Sequence, residues 1–412
     1  MSRIDKQTPS PRAQSGHRDS LKGQSPSLKQ QPSGNQGKRP DSSPTPSPNA
    51  ILSPAIDFLC CGGISIAAVI AIFVYAFFNP KSEFLTQGIG LIWVGVLGTL
   101  FNAPHFMASY PLLYGKRTQI TEHRLASTYV PLILLGIILC AFLTPGPDAT
   151  YPRVNTTVLE VMTIIGPILL AWHYTGQAWG MTGAFAYIRG IRMDRLERSL
   201  VRCGYYALLV WHVLWTCLYF LKRPESNIAK NFVSLIPKFN TAYNIWSAIV
   251  LLTIPVGIAG FIRIRRRTGI TPSLRCYSPW VAIYLWYTLI WAYPGMFALL
   301  QIFHALQYLV FPLRVEANQY SAKRKRSGVK QFLHGTGYYL ALVVVGVVVF
   351  ELLPDVTLIW GDKEHLKDLV AVTSAVTASF VNIHHYFIDG AIWKIRNPQV
   401  RRDLFAHLKL AT

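Results

Sequence analysis

Five histidines stand inside apolar runs of the chain, where neutral imidazoles could ligate a metal ion. His105 ends Phe101-Asn102-Ala103-Pro104-His105. His173 lies in Trp172-His173-Tyr174-Thr175-Gly176-Gln177, and His304 opens His304-Ala305-Leu306-Gln307-Tyr308. The pair His384 and His385 lies in Asn382-Ile383-His384-His385-Tyr386-Phe387-Ile388-Asp389. Polar side chains are costly in hydrocarbon, face the interior of a bundle and default to a functional reading. A carboxamide sits one helical turn from each: Asn102 with His105, Gln177 with His173, Gln307 with His304, Asn382 with His385. An amide oxygen that accepts the second ring N–H would fix the tautomer a ligand needs. Asp389, four residues after His385, adds a carboxylate that could be a ligand, an outer partner or a proton acceptor, the structural alternative being an ion pair with Lys394 or Arg396. The expected set is therefore His105, His173, His304, His384 and His385 on the metal, with Asn102, Gln177, Gln307, Asn382 and Asp389 around it. Tyr110, Tyr174, Tyr308 and Tyr386 are near but are ordinary interface residues, and no chemistry is assigned to them. His212 has only Leu208, Leu209, Trp215 and Thr216 one turn away, which marks it as a core histidine. The competing structural reading makes all five histidines interhelical fasteners, each worth about 1 kcal/mol.

The elements that must position them are transmembrane helices. The chain of 412 residues is 51 % apolar and 14 % charged, outside the usage of soluble domains, which makes the lipid bilayer its solvent. Its net charge of +21 is gathered in short clusters between apolar runs, so the basic residues are topology signals and anionic-lipid contacts rather than a nucleic-acid surface. Runs near the length that crosses a bilayer fall at 56–78, 88–113, 125–143, 158–185, 204–221, 241–262, 337–353 and 367–390. The stretch 278–313 would be about 54 Å long as one helix, and Pro294-Gly295 at its centre splits it into 278–293 and 296–313. The expectation is an all-α polytopic bundle of about ten helices, with both termini in the cytoplasm. In that orientation 32 of the 40 Lys and Arg lie inside. His105, His304 and His384 then each precede a cytoplasmic basic residue (Lys116, Arg314, Lys394) by ten or eleven positions, about 15 Å above it, and share one level. His173 precedes Arg189 by more, which a protruding helix accommodates.

Residues 1–50, dominated by Ser, Pro, Gln, Lys and Gly, cannot bury enough apolar surface to offset ordering entropy and are expected to form a disordered cytoplasmic tail. The bundle occupies 51–393, and 394–412 form a basic C-terminal tail. The six cysteines show no CxxC and are expected to be ordinary small membrane residues. Asn155-Thr156-Thr157 is a glycosylation sequon on an outside loop. There is no internal repeat, no GxGxxG after a strand and no phosphate-binding GKS/T loop.

The segment Asn382 to Lys394, together with His304-Ala305-Leu306-Gln307-Tyr308, resembles segments of a His-rich family of multi-pass bacterial membrane proteins. The style of the site is similar to that of the Brp/Blh-type β-carotene oxygenases, multi-span proteins that hold iron with helix-borne histidines. The resemblance implies an iron-dependent oxygenase in a bacterial inner membrane; ten spans and a long tail depart from that family, and no catalytic residue is carried over. The leading expectation is thus a metal-dependent oxidoreductase acting on an apolar lipid-phase substrate, an isoprenoid or acyl chain. A proton-coupled or small-solute transporter, with the histidines and Asp389 as a relay, and a haem-binding electron-transfer protein are the alternatives.

Overall fold

The computed structural model describes residues 49–88, 90–144, 154–224, 226–324, 328–355, 366–394 and 397–408. The expected N-terminal tail lies, up to residue 48, outside the described residues. Among the described residues all regular structure is helical. Seven helices are long and apolar enough to cross a membrane: α1 (Pro54–Phe78), α3 (Leu125–Leu143), α4 (Thr156–Ile188), α5 (Arg195–Leu221), α6 (Val233–Thr268), α8 (Pro294–Arg324) and α9 (Val329–Asp355). Three further helices complete the bundle: α2 (91–114), α7 (Leu274–Ala292) and α10 (Leu366–Ile392). These three carry much of the bundle's polar and aromatic content. α2 and α10 bear histidines, and α7 buries Trp280, Trp286, Tyr284 and Tyr287 in protein. A last helix, α11 (Pro398–Phe405), follows α10.

Local chemistry sets the boundaries. Ser53 and Asn155 cap α1 and α4 by accepting the amides of Ile56 and Val158, and Pro54 opens α1 where its missing N–H costs nothing. Asp194 and Glu197 form a reciprocal capping box at the start of α5, and Gly269 in the left-handed conformation ends α6. Asn155, the sequon asparagine, is thus committed to a cap. The break expected at Pro294-Gly295 is there: α7 stops at Ala292, and a tight turn over Pro294–Met296 starts the next helix. Among the described residues π-turns fall at Gly98–Asn102, Leu125–Tyr129 and Val348–Leu352, and α1 kinks over Leu59–Gly63, where Gly62 leaves helical geometry. Such a kink frees a carbonyl, and Gln307 satisfies the one on Cys61 at 3.2 Å.

The distribution of side chains is that of a membrane bundle. Phe77, Phe78, Leu132, Ile133, Leu251, Leu252 and Val344 face outward, whereas Asp57, Glu197, Asp389 and all five singled-out histidines are buried. α8 is the central helix: 72 % of its apolar stretch is buried, against 11 % for α9. The site helices are drawn together by small residues. A side chain at Gly346 on α9 would overlap Ala103 of α2, and one at Gly390 on α10 would overlap the Trp172 ring of α4.

Residues 394–412, expected as a tail, include a docked element: Leu404 and Phe405 of α11 are buried, and Asn318 of α8 donates to the carbonyls of Asp403 and Leu404. His407 Nε2 donates to the Ala50 carbonyl at 2.8 Å, while its Nδ1 accepts from Asn318. The segment 49–52 is held from other sides too, by Arg275 on the Asn49 carbonyl, Arg314 on the Leu52 carbonyl, and Asp57, whose carboxylate accepts the amides of Ile51 and Leu52. Burial holds the His407 ring below the ordinary histidine range. The neutral ring is the one that docks, so its contribution is complete above about pH 6.5 and is lost as the pH falls through the lowered native value. Amide hydrogen exchange over 49–52 and 398–408, corrected for intrinsic rates, should therefore rise on acidification; His407→Gln should flatten that dependence. An unchanged pH profile in the variant would remove His407 from the account.

Candidate metal centre

α2, α4, α8 and α10 each bring one imidazole to a common point. The nitrogens of His105, His173, His304 and His385 lie within 4.8 Å of one another, and all four side chains are buried. His173 Nε2 and His304 Nε2 are 2.8 Å apart, and the rings of His105 and His385 have their centroids 4.4 Å apart. Four imidazole nitrogens set tetrahedrally about 2.0–2.1 Å from an ion stand about 3.3–3.4 Å from each other, so the cluster needs to close by about 1.5 Å at its widest to hold one.

The tautomers favour a ligand set. Ser109 donates to the Phe106 carbonyl at 2.8 Å, so its oxygen accepts the Nδ1 hydrogen of His385 at 3.1 Å. His385 Nε2 is then left as a lone pair, buried, without a hydrogen-bond partner and only 3.3 Å from Asp389 Oδ2. Two acceptors facing each other repel unless a cation or a proton lies between them. Both nitrogens of His105 and Nδ1 of His304 are likewise buried without partners. Asp389 stands 3.9 Å from His173 Nε2 and accepts the Tyr308 hydroxyl on its other oxygen at 2.9 Å. Tyr308 in turn accepts from the Trp393 indole at 3.2 Å. Asp389 faces the histidines, with no ion pair to Lys394 among the described residues; Arg396 lies outside them.

His384 is not brought to the cluster. Neighbouring residues on a helix point about 100° apart, so only one of the pair can face inward. Its Nε2 donates to the Ala126 carbonyl at 2.9 Å, and the Tyr110 hydroxyl lies 3.3 Å from Nδ1. It fastens α10 to the start of α3.

The carboxamides take other partners. Gln307 bonds Cys61, Gln177 donates to the His304 carbonyl at 3.2 Å, Asn102 reaches Gln301 at 3.5 Å, and Asn382 bonds Ala378 and Tyr386. None of these bonds reaches an imidazole nitrogen. Ser109, Gln177, Tyr308 and Asp389 each follow a site histidine by four residues, and so lie one turn along the same faces. That spacing was the available signal for Ser109 and Tyr308, which a search for carboxamides passes over. His212 stands apart from the cluster: its Nδ1 pairs with the Tyr287 hydroxyl at 2.8 Å, and its Nε2 is buried without a partner, so it is the convergence of the four rings and not an unpartnered nitrogen that marks the site.

A cavity of about 330 Å³ opens beside the cluster. His173, Tyr308, Tyr386 and Asp389 line it at the histidine end; Arg202, Lys394 and Leu404 line it elsewhere, and Gly176 and Gly180 lie along α4. Comparison of the chain with protein-family models, with curated proteins and with solved structures gives no match.

Proposed function

We propose that this protein is a ten-span bacterial plasma-membrane oxidoreductase, with both termini in the cytoplasm, that holds iron in His105, His173, His304 and His385. The observation that carries this is the gathering of four buried imidazoles within 4.8 Å from four helices far apart in sequence. Helix fastening does not require one meeting point, and it would leave donors and acceptors paired. Here only His173 Nε2 and His304 Nε2 pair with each other, at 2.8 Å, and both nitrogens of His105, Nδ1 of His304 and Nε2 of His385 are buried without partners. A compact knot of nitrogens favours a bare ion over haem, which needs two imidazoles on opposite faces of a flat ring. Imidazole suits iron, copper and zinc; iron is chosen because a centre beside an apolar cavity in the lipid phase suits redox chemistry with dioxygen on an acyl or isoprenoid chain. The similarity of the site's style, helix-borne histidines in a multi-span protein, to that of Brp/Blh-type oxygenases supports the same choice.

Within that reading the protein's own groups have defined parts. Ser109 orients His385, and the Trp393–Tyr308–Asp389 chain holds a carboxylate against two ligands, where it can take or return a proton. Tyr174 packs against the His304 ring and Phe106 against the His105 ring, which covers the cluster on those sides and leaves the cavity as its approach. The test is metal analysis of protein purified from membranes, with an absorption spectrum for haem, followed by oxygen uptake in lipid nanodiscs supplied with acyl and isoprenoid lipids. Stoichiometric iron and lipid-dependent uptake are expected; absence of any bound transition metal defeats the proposal.

The orientation has its own check. Reporter fusions after Arg266 and after Lys323 should both read cytoplasmic, and one at Gly295 external. Opposite sides for Arg266 and Lys323 would mean that α7 and α8 do not both cross.

A further inference from the structure

We infer that the cavity beside the histidine cluster takes a single-chain amphiphile with an anionic headgroup, a carboxylate or a phosphate, held at its cytoplasmic end by Arg202 and Lys394. This deepens the proposed function and rests on that reading for its chemistry, but not for the binding itself.

Three observations carry it. First, Arg202 and Lys394 both line the cavity, and neither has a carboxylate within ion-pair distance among the described residues. Arg202 instead lies over the rings of Trp179 and Tyr206, which leaves its guanidinium edge for an anion. Second, Gly176 and Gly180 lie one turn apart on α4 and line the cavity, yet a Cβ added at either would meet no atom within 4 Å. Small residues in membrane helices ordinarily admit a neighbouring helix. Here no atom of another helix comes that close among the described residues, and the smooth strip is left for something that is not protein. Third, the far end carries polar groups in a wall that includes Trp172, Trp179, Trp393 and Phe311. The Gln177 amide oxygen is buried without a partner, and Asp389 lies against the histidines. At about 330 Å³ the cavity sits at the small end of ligand sites, enough for a headgroup and the chain segment nearest it. The rest of the chain lies past Trp172, which lines the cavity and is 41 % exposed on the outer surface of the bundle.

Trp172, Trp179 and Trp393 line the site and report on it. Whole protein in neutral-lipid nanodiscs is titrated with a brominated fatty acid, with its methyl ester and with a brominated alkyl phosphate, reading tryptophan quenching, and the metal content of every sample is assayed. A saturable component is expected for the acid, the phosphate or both, the tighter one naming the headgroup, and only linear partitioning for the ester. Arg202→Gln and Lys394→Gln should each weaken the saturable component about tenfold. Gly180→Leu, which improves helix propensity while filling the cavity, should abolish it with the metal retained. Saturable binding of the ester equal to that of the acid, or unchanged binding in Gly180→Leu, overturns the inference. Charge-dependent binding by protein without metal would defeat the oxidoreductase reading alone. Metal without charge-dependent binding would defeat this inference alone.

Discussion

Replacing any one of His105, His173, His304 or His385 with Ala is expected to cost metal affinity by more than the 10- to 100-fold typical of losing an outer partner, and so to leave purified protein nearly metal-free. The four residues are equivalent in this respect because each nitrogen set lies within 4.8 Å of the others. Ser109→Ala should fall in the 10- to 100-fold range, since it removes only the acceptor that fixes the His385 tautomer. His384→Ala and His212→Ala should retain the metal, because their rings are spent on Ala126 and Tyr287. Elemental analysis of the seven variants, with a thermal melt of each, separates ligation from fastening. If wild type holds no metal and the six histidine variants lose only stability, the imidazoles are fasteners.

The second large effect is expected at Asp57. This carboxylate is fully buried and accepts the amides of Ile51 and Leu52 at 2.7 and 2.9 Å and the Arg275 guanidinium at 3.2 Å. Asp57→Ala leaves a largely buried cation and two amides without their acceptor, which should destabilise the protein by about 3–5 kcal/mol. Replacing both partners, as in Asp57→Ala with Arg275→Met, should recover part of that loss, because no lone charge is then left in the interior. Unfolding in a denaturing detergent titration measures both. A single variant as stable as wild type would show that the segment 49–52 is held by its other contacts alone.

The convergence of His105, His173, His304 and His385 was legible in the sequence because lipid-phase helices advertise themselves by hydropathy, and polar residues within them must turn inward. Depth could be counted from the basic residues at helix ends. The choice between His384 and His385 was not legible. It depends on the rotation of α10, which is set by contacts such as Gly390 against Trp172, made with a residue more than two hundred positions away. The carboxamides were misassigned for a related reason. The kink over Leu59–Gly63 leaves the Cys61 carbonyl open, and the Gln307 amide group turns to donate to it, so the direction of that side chain is set by the backbone of α1 and not by the spacing within α8. α7 was placed by the Pro294-Gly295 break, although its aromatic composition is that of a helix solvated by protein rather than lipid. The docking of α11 had no periodic signal of its own, since the helix has only eight residues.

The bond from His407 to the Ala50 carbonyl joins positions 357 residues apart, and the site needs His385 from the last long helix. A ribosome delivers this chain from its N-terminus, so α1 to α9 enter the membrane while neither the centre nor the closure over residues 49–52 can exist. During that interval His105, His173 and His304 stand without their fourth partner, and the cluster closes only when α10 has followed α9.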